Sequence, residues 1–150
     1  MKILVDANIV FSGILNSNGK IGDLLINSSK HYIFIAPDFL RHEIKNKYQK
    51  LQNISKMSFE QIAEAEYQIC QHITFISEEQ IAEKYWLAAF ALVQDVDPKD
   101  IHYIAYSKQF KCKLWSGDKK LLKGLHSKGF KDLLTTDELF KLKQKKTKST

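Results

Sequence analysis

Met1-Lys2-Ile3-Leu4-Val5-Asp6-Ala7-Asn8 opens the chain and contains the stretch that decides its fold. Its three consecutive apolar residues, Ile3 to Val5, are typical of a short strand that is buried on both faces of a parallel sheet. Asp6 follows directly, so its carboxylate is expected at the carboxyl end of that strand. Functional sites of open α/β sheets lie outside this edge.

Short apolar runs alternate with segments of helical spacing along the rest of the 150 residues. Further strands are predicted at 32–36, 73–76, 112–115 and 130–134, and helices at 21–26, 38–48, 58–71, 77–94, 97–109, 119–126 and from 135 or 136 onward. Strands that alternate with helices are joined by crossovers and therefore run parallel. The sequence thus predicts an α/β protein with three α/β/α layers and a central, mostly parallel sheet.

Local signals set several of these boundaries. Ser58 with Gln61, and Ser77 with Gln80, have the spacing of capping boxes and each predict a helix start. Ser12-Gly13 and the residues 16–19 are expected to interrupt the segment after the first strand.

The net charge of +6 is unevenly distributed. The last ten residues contain no acid and five lysines, which are Lys141, Lys143, Lys145, Lys146 and Lys148. We therefore expect one domain over residues 1–140 and a lysine-rich tail over 141–150. A polyanionic partner is compatible with such a tail, and a solvated chain end explains it equally well.

The sequence argues against a membrane protein, a secreted protein and a protein held together by zinc or disulfides. The longest apolar run, from Tyr85 to Val93, is too short for a bilayer span, and the apolar run at the amino terminus is too short for a signal peptide. Cys70 and Cys112 lack the spacing of a zinc site or a disulfide framework. We expect a cytoplasmic protein with no membrane partner and with reduced, buried thiols.

Four acids are candidates for one metal site. Asp118 follows the strand at 112–115, as Asp6 follows the first strand. Glu43 lies about two turns into the helix after the second strand, and Asp100 lies in the first turn of the helix before residue 112. Helices that begin or end near the strand tips can bring such side chains to one edge. Carboxylates are the ligands that Mg²⁺ and Mn²⁺ prefer, and such clusters serve phosphodiester hydrolysis.

Structural roles compete with these assignments. With Pro98 at the first helical position, Asp97 would be the N-cap and Asp100 the third helical residue, so capping explains Asp97 fully and Asp100 in part. Asp118 could cap the helix that begins at Lys119. Asp6 could be a loop residue bonded to nearby backbone, and an isolated acid such as Glu43 is usually a solvated helix residue.

Taken together, the motifs resemble the PIN-domain family, which includes VapC-type toxins. They are Ile3-Leu4-Val5-Asp6-Ala7-Asn8, Leu40-Arg41-His42-Glu43-Ile44, Asp100-Ile101-His102-Tyr103-Ile104-Ala105 and Leu114-Trp115-Ser116-Gly117-Asp118. The resemblance covers residues 1 to about 140. One departure is Ser116, where the family usually has a threonine.

The resemblance implies an Mg²⁺- or Mn²⁺-dependent endoribonuclease. Asp6, Glu43, Asp100 and Asp118 would be its catalytic and metal-binding acids, with Asn8 and Ser116 in support. It also implies an RNA substrate, a homodimer and, for a toxin, a small antitoxin partner. Lys119 and Lys120 flank the predicted site and are candidates for RNA phosphate contacts, although a solvated helix face explains them equally well.

Two alternatives remain. One is a PIN-like RNA- or protein-binding module whose catalytic site is degenerate. The other is a HAD-like phosphatase, which also has an early strand-end aspartate and a late Gly-Asp. That chemistry needs a second acid two residues after Asp6, but Asn8 occupies the position.

Overall fold

The computed structural model describes residues 1–93 and 100–148 of the chain. Its centre is a five-stranded sheet in which every strand is parallel to its neighbours, in the order β3-β2-β1-β4-β5. The strands are β1 (Lys2–Val5), β2 (Ile33–Pro37), β3 (Ile73–Ile76), β4 (Lys113–Trp115) and β5 (Leu133–Leu134). The predicted parallel sheet is confirmed.

Helices connect the strands. They are α1 (Ala7–Leu15), α2 (Lys20–Asn27), α3 (Phe39–Asn46), α4 (Tyr48–Ser55), α5 (Phe59–Cys70), α6 (Glu83–Val93), α7 (Ile101–Phe110), α8 (Lys119–Ser127) and α9 (Thr136–Lys148). Helices α1, α2 and α5 pack on one another, whereas α6 packs on α7, which contacts β1, β2 and β4. Crossovers between parallel strands are right-handed almost without exception, and this hand puts the two groups on opposite faces of the sheet, in agreement with the predicted α/β/α layers.

The central strand β1 creates the crevice in which the site lies. It pairs with β2 on one side and with β4 on the other, with Val5 opposite Trp115. The chain leaves β1 toward β2 and β3, and it later crosses back to β4 and β5. Because the connections after β1 and β4 depart in opposite directions, their carboxyl ends flank an opening in the layer above the sheet. Asp6 and Asp118 follow these two ends.

The interior is apolar around the same two strands. Ile3, Leu4 and Val5 are completely buried, as is Trp115, which the sequence predicted as a core residue. The Trp115 indole N–H donates to the Thr136 hydroxyl over 3.0 Å, so its polar atom is satisfied. Cys112 is buried and Cys70 half-buried, and both are free thiols.

The predicted interruption at Ser12-Gly13 is wrong, because α1 runs without a break from Ala7 to Leu15. Gly13 serves packing instead of turning. A Cβ atom at this position would lie 3.0 Å from Cδ1 of Ile69, so glycine allows α1 to approach α5 closely. This contact joins residues far apart in sequence, and a local pattern cannot reveal it.

The two predicted capping boxes have different outcomes. At Ser58 both reciprocal hydrogen bonds with Gln61 are present, and α5 begins there as predicted. Ser77 caps only a 3₁₀ turn, Glu78–Gln80, and the predicted helix start at this point is wrong. The chain becomes extended at Ile81, whose side chain is buried, before α6 begins at Glu83. Burial of Ile81 therefore overrides the local cap.

The lysine-rich segment is helical as far as Lys148, because α9 continues through it. Lys143 Nζ lies 3.6 Å from Asp23 Oδ2, and Lys146 Nζ lies 4.7 Å from the centroid of the Tyr32 ring. These contacts hold α9 against the body of the protein. No helix within residues 1–93 and 100–148 is long and apolar enough to span a membrane.

Candidate active site

All four predicted acids line one cavity of about 350 Å³. Asp6 comes from the end of β1, Glu43 from α3, Asp100 from the residue before α7, and Asp118 from the residue before α8. The sequence-based expectation that these side chains would meet at the carboxyl edge of the sheet agrees with this placement. The competing cap at Asp97 lies outside the described residues.

Asp6 is the most buried of the four, with 4% of its surface exposed. It caps α1, because Oδ1 accepts the Asn8 backbone N–H over 3.4 Å, while Oδ2 accepts the Ser116 hydroxyl over 2.6 Å. Burial raises the pKa of Asp6, and the negative charge of Asp118 adds to this effect. The hydrogen bonds from Ser116 and Asn8 act in the opposite direction, so they favour the ionised form.

Ser116 connects Asp6 with Asp118. Its completely buried hydroxyl donates to Asp6 and accepts the Asp118 backbone N–H over 3.0 Å. Asp118 in turn caps α8, because its Oδ1 accepts the Leu121 N–H over 3.1 Å. The sequence left capping and site formation as alternatives for Asp118, and the structure places its carboxylate in both positions at once.

Tyr103 is a buried residue of this cavity that the sequence interpretation missed. Its hydroxyl accepts the backbone N–H of Ala7 over 3.1 Å, at the first turn of α1. Burial raises the pKa of Tyr103, and the negative charges of Asp6, Glu43 and Asp100 raise it further. Three of the four acids therefore act on one hydroxyl, which remains protonated.

Phe11, Asn46 and Lys47 are further cavity residues that were missed. Lys47 is the residue between α3 and α4, and its Nζ lies 5.1 Å from the centroid of the Phe11 ring. One signal could have found most of these residues, namely a spacing of three or four from a predicted site residue. Lys47 follows Glu43 by four residues, and Tyr103 follows Asp100 by three.

The other predicted site residues differ in position. Asn8 lines the cavity, and its backbone N–H, rather than its side chain, contacts Asp6. Lys119 lines a different depression, beside α8 and β5, and Lys120 lines neither of these two cavities. Both lysines are exposed.

The donor set fits a hard divalent cation. Four carboxylates face one small cavity, and no cysteine lines it. Within residues 1–93 and 100–148, no group of three side chains of aspartate, glutamate, histidine or cysteine is close enough to coordinate one metal ion. Mg²⁺ commonly binds one or two carboxylates directly and retains several waters. A cavity with separated carboxylates suits this mode better than a closed protein cage.

Comparison with known proteins supports the fold and identifies the family. A chain in the crystal structure of VapBC2 from Rickettsia felis, bound to a DNA fragment from their promoter, has a similar fold with a TM-score of 0.64. The two are 13% identical, and the match covers 90% of this chain and 97% of the other. No curated protein matches the chain. The sequence matches the PIN domain over residues 4–145, and the protein therefore belongs to the PIN-domain family.

Proposed function

We propose that this protein is an Mg²⁺- or Mn²⁺-dependent endoribonuclease that hydrolyses phosphodiesters of single-stranded or loop RNA. The observation that carries the proposal is the convergence of Asp6, Glu43, Asp100 and Asp118 on one cavity at the crevice between β1 and β4. Membership of the PIN-domain family supports the same chemistry.

The chain's own residues hold the acids in place for such a reaction. A divalent cation, when bound, supplies positive charge to the phosphate and makes water acidic enough to act as a nucleophile at neutral pH. Ser116 fixes the orientation of Asp6, and the cap on α8 fixes Asp118. Tyr103 anchors the first turn of α1, which carries Asn8 into the cavity. These bonds pre-organise the carboxylates before substrate binds.

Labelled RNA incubated with the wild type and with Asp6→Asn, in Mg²⁺, Mn²⁺ or EDTA, tests the proposal. We expect cleavage by the wild type that requires the metal and is lost in Asp6→Asn. A matched control is Asp132→Asn, because Asp132 is exposed and precedes β5, at the opposite edge of the sheet. This variant should cleave like the wild type.

Other outcomes would contradict the proposal. Cleavage that survives EDTA, or that is undiminished in Asp6→Asn, would exclude the metal–carboxylate mechanism. Binding of RNA without cleavage of any RNA would support a degenerate binding module. Hydrolysis of a phosphomonoester instead of RNA would support the HAD-like alternative, which family membership disfavours.

We further propose that the protein is the toxin of a toxin–antitoxin pair and forms a homodimer. The similar fold of a chain in the VapBC2 structure supports an antitoxin partner. The partner would be a small protein encoded beside this one that blocks the acidic cavity. Co-expression with a small reading frame found beside this gene should abolish ribonuclease activity, and the absence of any such frame would contradict the toxin proposal. Light scattering of the purified chain tests the homodimer.

A further inference from the structure

A groove of about 720 Å³ is lined by residues that follow Asp118 of the acidic cavity in the sequence. It lies between α8, β5 and the first turn of α9, and we call it the α8 groove. Four basic side chains line it, which are those of Lys119, Lys123, His126 and Lys131. Asp118 lines the acidic cavity and Lys119 lines the α8 groove, so the two depressions are lined by adjacent residues of the chain.

The basic residues of α8 form a continuous row. Lys119, Lys123 and His126 are separated by four and then three positions, a spacing that places side chains on one face of a helix. The row extends over about 10 Å of helix axis. A nucleic acid strand advances by about 3.4 Å per nucleotide when stacked, so the row faces about three nucleotides.

The lining of the groove carries a net positive charge, because its three lysines outnumber its one acid. Among the residues that the structure describes, no ion pair involves Lys119, Lys123 or Lys131. Glu138 is the one acid among the lining residues, and its carboxylate accepts the Thr135 backbone N–H over 3.1 Å. The groove therefore complements a polyanion.

We propose that the α8 groove binds the phosphate backbone of the RNA strand whose scissile phosphodiester occupies the acidic cavity. This inference rests on the proposed ribonuclease function and specifies where its substrate extends. A row of lysines spaced along α8 matches the repeating phosphates of a strand, and Lys119 directly follows Asp118 in the chain, which favours an RNA strand over an acidic peptide. Lys119 is thus a substrate contact.

The salt dependence of RNA binding tests this without turnover. In the Asp6→Asn background and in EDTA, a labelled single-stranded RNA is titrated by fluorescence anisotropy at several salt concentrations. The test variant carries Lys119→Gln, Lys123→Gln and Lys131→Gln. Each phosphate contact contributes about 0.7 to the slope of log affinity against log salt for single strands. We expect the slope to fall by about 2 and the affinity to fall at least about tenfold at low salt.

A charge-matched control carries Lys30→Gln, Lys50→Gln and Lys84→Gln, three exposed lysines outside both the groove and the acidic cavity. It should retain the slope and affinity of the parent. Equal slopes for the two triple variants would overturn the groove proposal, even if the wild type cleaves RNA. That result, together with capture of an acidic peptide by the groove, would reassign the surface to a protein partner. A reduced slope in the test variant supports the groove even if the wild type cleaves nothing, an outcome that would reject only the ribonuclease.

Discussion

The Ser116 hydroxyl donates to Asp6 Oδ2 over 2.6 Å, and so joins two residues that are 110 positions apart in the sequence. The same hydroxyl accepts the Asp118 backbone N–H. One buried side chain therefore orients the acid that follows β1 and the acid that follows β4. A serine at this position performs the task with a single oxygen.

Ser116→Ala tests this link. Loss of the hydrogen bond should raise the pKa of Asp6 further, since that bond favours the ionised carboxylate. We expect the acid limb of the pH–rate profile to move to higher pH and the activity at neutral pH to fall about 10–100-fold. Ser29→Ala is the control, because Ser29 is exposed in the loop between α2 and β2, away from the cavity and the α8 groove. An acid limb that does not move would contradict the assigned role.

Asp6→Asn should stabilise the fold at neutral pH in EDTA. Burial raises the pKa of Asp6 above its ordinary value of 3.8, so the folded state binds this proton more tightly than the unfolded state. Stability is therefore lost as the pH rises from about 3.8 through the folded pKa. Asparagine keeps the Oδ1 acceptor of the helix cap and removes the buried charge. Its Nδ2 group cannot accept the Ser116 hydroxyl, and the loss of that bond offsets part of the gain.

Urea denaturation at pH 7 should give Asp6→Asn a free energy of unfolding that is higher by about 0.5–2 kcal/mol. The difference should shrink as the pH falls toward 3.8, because the raised pKa of Asp6 makes the folded state take up this proton at a higher pH than the unfolded state does. A variant that is less stable than the wild type at pH 7 would mean that ionised Asp6 is stabilised by its neighbours.

Divalent cations should raise the thermal stability of the wild type. A ligand that binds only the folded state stabilises it by about 2.7 kcal/mol at one hundred times its Kd. Differential scanning fluorimetry with Mg²⁺ or Mn²⁺ should therefore give a dose-dependent increase in Tm that EDTA reverses. Asp132→Asn should respond equally, and Asp6→Asn should respond weakly. An equal increase in the Tm of Asp6→Asn would show that the cation binds outside the acidic cavity.

Tyr103→Phe should destabilise the first turn of α1. It removes the acceptor of the Ala7 N–H, and an unsatisfied buried donor costs about 1–3 kcal/mol. Both the free energy of unfolding and the ribonuclease activity should fall. The exposed Tyr67 is the control, since Tyr67→Phe removes a hydroxyl from a side chain that is 64% exposed. Equal effects of the two substitutions would contradict the assigned role of the Tyr103 hydroxyl in stabilising the first turn of α1.

Lys47→Gln should make the cavity bind Mg²⁺ more tightly. Lys47 adds a positive charge to a cavity lined by four acids, and like charges repel an incoming cation. The concentration of Mg²⁺ that gives half-maximal activity should therefore fall, most clearly at low salt. Lys50→Gln changes the same charge on exposed α4 and should leave this midpoint unchanged. A midpoint that rises would indicate that Lys47 acts mainly on the substrate.

The sequence predicted those site residues that strand ends determine. Asp6 and Asp118 follow apolar strands, and parallel pairing brings such ends together. Glu43 lies within a helix, so only the family resemblance singled it out. The spacing of four residues from Glu43 could have suggested Lys47, but its position in the cavity also depends on the break between α3 and α4, which tertiary packing determines. The predicted interruption at Gly13 was wrong for a similar reason, since the close contact that requires glycine is with Ile69, which is far away in the sequence.

The pairing of β1 with β4 also has a consequence for biosynthesis. Asp6 is translated early, but its partners Ser116 and Asp118 follow more than one hundred residues later. Contacts of such long sequence separation form late in folding. A nascent chain that still lacks β4 therefore has no assembled cavity, so the proposed hydrolytic activity cannot begin before β4 and Asp118 have left the ribosome. For a protein whose proposed substrate is RNA, the ribosome's own message included, this order of assembly delays damage until the fourth strand has been made.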